Sequence, residues 1–416
     1  MIQPDGFFGS VVAAESIGGV KVLLNGPAGC RNRFMVLMRQ LMRDGSYDDE
    51  KYSIPYFKGQ SRVPCTYTDE EDFINGGYAK IADALRVIGS VCDDMVAIID
   101  SPGAALIGDD HSKAIADAGM TGRAFTLGSF LMSKPYEHSY DMTLVSVMEH
   151  LKPEKGDVIP KSVNIIGYPV TDKDWRHGLE WMIDVLKSMG ITVIAAMGAG
   201  ASVEKMRDSV RAERNILVYP EFGSMLSGYM SEEYRIPTIS AGAPIGLRGC
   251  RDWVMSIASE MGVDPTVALK GIDDAEREIV SAIRSDKARA KNLQGMTFAM
   301  ECIPSMALPL TTWLVDYLGM VPSSVRFTTS DNDSEKRLRD YLGTIGLESV
   351  IGAPVLGYTD VVLTNGHDAL HMTETRRCGI GIDIAFPTPE EIHIRPDPLI
   401  GSVGAMGIVE KILNGI

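Results

Sequence analysis

The chain has 416 residues, with 40 basic and 55 acidic side chains and a formal net charge of −15 at pH 7. At roughly 150 residues per domain the length implies two or three domains, and 45% hydrophobic with 23% charged residues is an ordinary globular mixture. The acidic balance, with no basic run, argues against nucleic acid or an anionic membrane as partner, because both need a positive footprint.

The opening residues, MIQPDGFFGSVV, do not read as a secretory signal. The most apolar stretch, 296–321, is broken by Glu301, Pro304, Pro309 and Asp316, so no membrane span is expected. The six cysteines, Cys30, Cys65, Cys92, Cys250, Cys302 and Cys378, lie too far apart for a CxxC zinc or ferredoxin pattern. The chain therefore reads as cytoplasmic and free of disulfides.

Short β-rich apolar runs alternate with longer helical patterns from end to end. The spacing predicts strands at 20–24, 96–99, 124–127, 163–166, 192–196, 216–219, 297–300, 325–328 and 361–364. Residues 174–189 show the helical alternative, with Leu179, Met182, Ile183, Val185 and Leu186 on one face. Such alternation implies βαβ units and parallel sheets, an α/β fold. Buried parallel strands should be apolar throughout, and Lys21, Asn164 and Arg326 are exceptions. Polar segments at 153–161 and 285–295 read as linkers, which divides the chain into domains at 1–160, 161–291 and 292–416.

No GxxxxGK[ST] occurs, so ATP use would belong to a partner. The sequence from Gly198 to Ser202 lacks the third glycine of a dinucleotide fingerprint. His367 and His371 stand one helical turn apart, as a metal pair or as part of a solvated helix start. The distinctive residues stand on strand-to-helix turns. The first predicted strand runs into Asn25-Gly26-Pro27-Ala28-Gly29-Cys30, where Cys30 is either an available thiolate or a buried structural thiol. The second runs into Asp100-Ser101 and on to Asp109 and Asp110, which read as helix caps. In a parallel sheet both turns lie at the carboxyl edge, where ligands bind.

At these residues the sequence resembles the nitrogenase component 1 superfamily. The resemblance rests on GPAGC at 26–30; on Thr68, Glu70, Asp72, Gly76 and Gly77; and on LIGDD at 106–110. Later elements add VNIIGY at 163–168, APIGLRG at 243–249, LTNGHD at 363–368 and GAMGIVEKILN at 404–414. The resemblance implies three Rossmann-like domains around a central cleft. It implies a subunit that pairs with a sister chain or with itself. It further implies electrons from a separate ATP-hydrolysing iron–sulfur reductase, passed through an iron–sulfur cluster at the subunit interface to a small-molecule substrate. Where family members place three cluster cysteines, this chain keeps the middle one as Cys30, with Asp5 near the first position and Ser101 near the third. That pattern suits a four-iron, 4Fe-4S cluster better than an eight-iron one. Cys30 is then the metal ligand, Gly26 and Gly29 shape its turn, and Asp5, Cys65 or Ser101 completes the set. Cys65 is alternatively a small buried residue.

Tyr219 falls near the family's cofactor-cysteine position, and the segment from Asp383 to Pro389, near its histidine position, carries no histidine. Arg248, Arg251, Arg376 and Arg377 are the cations nearest the implied cleft, as carboxylate-binding groups or as surface ion pairs. Arg248 and Tyr219 are taken as the substrate-binding candidates. Two other roles are compatible with the resemblance: a scaffold for metal-cofactor assembly, and a ligand-binding homologue without a cluster.

Overall fold

The computed structural model describes residues 4–41, 63–128, 133–355, 357–387 and 395–416. The chain forms two units, one of Met1–Gly156 with Met197–Val210, the other of Asp157–Ala196 with Arg211–Ile416.

The first unit is built on a sheet of β1 (Val20–Asn25), β2 (Met95–Asp100) and β3 (Ala124–Thr126), in that order. The strands are parallel and in register from Val20 opposite Met95 to Asn25 opposite Asp100. On its other side β1 meets an extended segment through a parallel bridge between Leu24 and Cys65. That segment lies between β1 and β2 in sequence, so the chain direction across the sheet reverses at β1. All six residues of β1 are buried. Lys21 is tolerated there because Glu15, 4.0 Å away and equally buried, offsets its charge. Glu15 ends the helix Gly6–Glu15, which is buried on every residue and capped by Asp5.

The second unit holds two sheets. One has the order β5-β4-β6-β7, with β4 Ile159–Ile166, β5 Thr192–Met197, β6 Ala212–Leu217 and β7 Thr238–Ile239. The other has the order β11-β10-β8-β9, with β8 Thr297–Cys302, β9 Val321–Phe327, β10 Thr359–Asn365 and β11 Cys378–Ala385. Every pairing whose register is described is parallel. Both orders contain a switch point, between β4 and β6 and between β8 and β10, which is where open α/β sheets open a crevice at their carboxyl edge. The remaining polar exceptions are answered across the ladder. Asn164 donates to Asn215 opposite it at 2.9 Å, and Arg326 on an exposed stretch pairs with Glu301 at 3.1 Å.

All nine predicted strands are present. β6 and β9 begin four residues earlier than the apolar runs that marked them. β7 and β11 are additional; CGIGIDIA hides a strand because two glycines and an aspartate interrupt its isoleucines. The linker expected at 285–295 is largely the helix Lys287–Leu293, capped by Asp286, and β4 begins inside the one expected at 153–161. No helix among the described residues is long and apolar enough to cross a membrane.

Candidate functional site

The turn after β1 is the best-constructed feature of the first unit. Gly26 N donates to the Thr66 hydroxyl at 3.0 Å, while Gly26 O accepts from Thr68 N at 3.0 Å and from the Cys65 thiol at 3.2 Å. A carbon added to Gly26 would lie 2.4 Å from Ser101 Oγ, so only glycine fits there. The chain then enters the helix Ala28–Leu41, whose first turn carries Cys30. Cys30 is half-buried, Gly29 beside it is exposed, and a carbon on Gly29 would meet nothing within 4 Å. A half-buried thiol at an open helix start is accessible to a metal.

The other residues proposed around Cys30 are placed differently. Cys65 is 1% exposed, its thiol donates to Gly26 O, and burial raises its pKa despite the Tyr67 backbone hydrogen bond and nearby Arg31. As placed, it is a protonated thiol packed beneath the turn. Ser101 is fully buried, accepts from Ala104 N at 3.3 Å and fills the space against Gly26. Asp5 accepts from Phe8 N at 3.0 Å and pairs with Arg33 at 2.9 Å. Arg33 lies one helical turn beyond Cys30, so Asp5 anchors the cysteine-bearing helix with both of its oxygens engaged.

The acidic residues of this region build turns. Asp69 and Asp72 form a capping box at the helix Glu70–Asn75. Asp110 caps the helix His111–Asp117 as expected. Asp109 departs from expectation: both its oxygens take the N–H of Gly77, at 2.9 and 3.1 Å. Among the described residues no three His, Cys, Asp or Glu side chains converge as a metal set. His367 and His371 sit on the helix Gly366–Glu374 behind an Asn365 cap, the solvated helix start of the two readings.

In the second unit, Tyr219 lies at the carboxyl edge of β6, fully buried, its hydroxyl 3.4 Å from both oxygens of Asp172. Asp172 is on the turn after β4, so the two residues face each other across that sheet's switch point. The turns meet closely: a carbon on Gly167 would fall 2.5 Å from Tyr219 O. Burial pushes the Asp172 carboxyl up to about 7, and burial with the Asp172 charge pushes the Tyr219 phenol well above its ordinary value. Next along the chain, Lys173 is 6% exposed and pairs with Asp383 and Asp397, each at 2.7 Å. Burial works against the Lys173 charge, and the two carboxylates more than offset that, so its pKa is raised. Lys411 of the C-terminal helix Gly401–Gly415 completes the group at 2.5 Å from Asp397. Glu221 similarly accepts from Ser305 N at 3.0 Å and Ser305 Oγ at 2.6 Å. Thus Tyr219 belongs to a buried acid cluster that joins the carboxyl edges of two sheets.

Sequence reasoning found Tyr219 and missed Asp172, Lys173, Asp397 and Lys411. The signal available was the charge-dense TDKD on a strand-to-helix turn; its partners lie more than two hundred residues away. Arg248 is 58% exposed and pairs with Asp316 at 2.7 Å. Arg251 likewise pairs with Asp273 and Glu276.

The sequence profile of nitrogenase component 1 type oxidoreductases matches residues 6–416, and the chain belongs to that family. It is 25% identical over 184 residues to a subunit of the light-independent protochlorophyllide reductase of Pelodictyon phaeoclathratiforme, covering 42% of this chain and 34% of that protein. It is 22% identical over 274 residues to the corresponding subunit of Crocosphaera subtropica, covering 62% of this chain and 50% of that one. The matches thus span a third to a half of these relatives' length. A solved nitrogenase structure, described as Nitrogenase Cp1 at pH 6.5, superposes with a TM-score of 0.78 at 15% identity, covering 100% of this chain and 92% of the other. At that identity the likeness speaks to the fold.

Proposed function

We propose that the chain is a subunit of a nitrogenase-like reductase and supplies one thiolate, Cys30, to a 4Fe-4S cluster shared with a second chain. The observation that carries this reading is the placement of Cys30. It is a half-buried thiol on an open glycine turn at the carboxyl edge of β1, whereas Cys65, Cys250, Cys302 and Cys378 are buried. With no converging metal set among the described residues, the donors present suit a shared site and not a complete one. A cysteine-richer sister chain supplies the missing ligands most simply; a homodimer would bring two copies of Cys30.

When bound, such a cluster supplies one-electron storage at low potential. This chain's residues do the rest of the work at that edge. Gly26 and Gly29 keep side chains out of the approach to Cys30, and Asp5 with Arg33 fixes the helix that carries it. The electrons come from a separate ATP-hydrolysing iron–sulfur reductase, and a small molecule is reduced. Tyr219 and Asp172 lie at the switch point where that substrate would be approached. All six cysteines are thiols, which supports a cytoplasmic setting.

The test is iron and acid-labile sulfide per chain after strictly anaerobic purification, for wild type and Cys30→Ala. About two irons per chain in a homodimer, or about four per pair with a sister chain, lost in the variant, supports the reading. Wild type that takes up no iron, alone or with a co-expressed sister chain, overturns it and leaves a ligand-binding homologue. Bound metal that transfers to a recipient protein without turnover would instead mark an assembly scaffold.

A further inference from the structure

A second feature of the first unit is independent of the cysteine count. The terminal residues of β1, β2 and β3 are Asn25, Asp100 and Thr126. Together with Thr66 and His111 they form a continuous polar path along the sheet's carboxyl edge. Gly26 N donates to Thr66 Oγ1 at 3.0 Å, and the Thr66 hydroxyl donates to Asn25 Oδ1 at 2.8 Å. Asn25 Nδ2 donates to Asp100 Oδ1 at 2.8 Å. His111 Nε2 lies 3.2 Å from the same oxygen, in contact with it but outside straight hydrogen-bond geometry. His111 Nδ1 lies 3.3 Å from the Thr126 hydroxyl, where the path reaches an exposed residue.

The path has a direction. A carboxylate oxygen accepts, and Asn25 accordingly turns its amide nitrogen to Asp100. That orientation presents Asn25 Oδ1 to Thr66, whose hydroxyl is then free to accept only from Gly26. Each member's arrangement is therefore set by the next. Asn25 is fully buried, Thr66 is buried, and the His111 side chain is 10% exposed, so an unmet polar group here would carry a desolvation cost.

We propose that His111 is a positioning residue for the Cys30 turn, acting through Asp100, Asn25 and Thr66 on the N–H of Gly26. It fixes how the turn presents the Cys30 thiol and, on the reading that Cys30 holds a cluster, the cluster's reduction potential. His111 itself touches neither cysteine nor substrate.

The test uses three variants of the full chain: His111→Leu, which removes both ring contacts; His111→Gln, which keeps a polar group toward Asp100; and Thr66→Val, which removes the link to Gly26 at nearly constant shape. Two readouts are followed. One is the rate of Cys30 alkylation by iodoacetamide in the metal-free chain, resolved by peptide mass. The other is the potential and electron paramagnetic resonance spectrum of the iron-loaded protein. The expected result is a severalfold change in alkylation rate for His111→Leu and for Thr66→Val. Recovery toward wild type is expected in His111→Gln, and the double variant His111→Leu/Thr66→Val should be no further displaced than either single one. The potential and spectrum should shift in the same order. Additive effects of the two substitutions, or a Cys30 rate unchanged in Thr66→Val and His111→Gln alike, would overturn the proposal. The two readings fail separately: absent iron in wild type removes the cluster and leaves the alkylation readout intact. Iron-loaded wild type whose potential and thiol rate ignore His111 removes only this inference.

Discussion

Gly26 and Ser101 are packed so closely that a single carbon on Gly26 would lie 2.4 Å from the serine oxygen and 2.7 Å from its Cβ. The turn that carries Cys30 is thus held against the turn after β2 with no space to yield. Gly26→Ala is expected to cost about 1–3 kcal/mol, the range for forced overpacking, and to move the start of the helix Ala28–Leu41. Ser101→Gly added to Gly26→Ala should recover most of that loss, whereas Ser101→Ala should not, since the clash includes Cβ. Urea unfolding midpoints of the three variants check this; equal recovery by both would mean the turn relaxes another way.

The cysteines differ enough for chemistry to sort them. The thiolate is the reactive form, and burial pushes Cys65, Cys250 and Cys302 up from their ordinary value, the last two far up. Native protein treated with iodoacetamide at pH 8 is expected to label Cys30 and the half-buried Cys92, leaving the other four until urea is added. Peptide mapping reads this directly. Labelling of Cys65 as fast as Cys30 would make Cys65 as available to a metal as Cys30.

The fold was legible because its signal is local. Each buried parallel strand is a short apolar run that stands out against the helical spacing around it, and the turns that follow carry their glycines and cysteine in contiguous motifs. The strand β11 escaped because its two glycines look like turn residues, though Gly381 is there to keep the backbone close to the helix Gly366–Glu374; a carbon on it would fall 2.5 Å from Ala369 O. The acid cluster of the second unit escaped for a different reason. Nothing in TDKD says that Lys173 will be buried, because its counter-charges, Asp383 and Asp397, come from segments whose approach only the assembled sheets decide. Arg248 illustrates the opposite case, since a cation on such a turn has the same sequence signature whether it points to a ligand or to Asp316, with which it pairs.

Lys173 holds two nearly buried carboxylates at once, with Lys411 as a second cation in contact with them. Lys173→Met removes the central charge and leaves Asp383 with Lys411 at 3.9 Å. The expected loss is about 3 kcal/mol, the low end for breaking a buried pair, because Lys411 still answers Asp397. Adding Asp383→Asn to Lys173→Met should restore part of the loss, so the double variant is more stable than the sum of the singles predicts. A double-mutant cycle in urea measures the coupling. Strict additivity would show that the two groups do not sense each other.

Asp172 gives the stability of the second unit a pH dependence whose sign is fixed. Its carboxyl is pushed up to about 7 by burial, against an ordinary carboxyl value of 3.8. Between about pH 4 and pH 7 the folded chain therefore holds a proton that the unfolded chain releases, so stability falls as pH rises through that window and levels off above it. A carboxyl raised that far costs at most roughly 4 kcal/mol once the window is crossed. Asp172→Asn preserves the neutral shape and a hydrogen-bonding group for Tyr219 while removing the titration. The variant is expected to match wild type near pH 4 and to exceed it by up to a few kcal/mol at pH 8. Urea titrations at pH 4.5, 6 and 8 distinguish this from the alternative. Parallel pH profiles for the two proteins would mean that Asp172 is ionised throughout, with Lys173 offsetting its burial fully. In that case the switch point between β4 and β6 would hold a permanent charge, and its place in substrate approach would rest on attraction rather than on a proton held near neutrality.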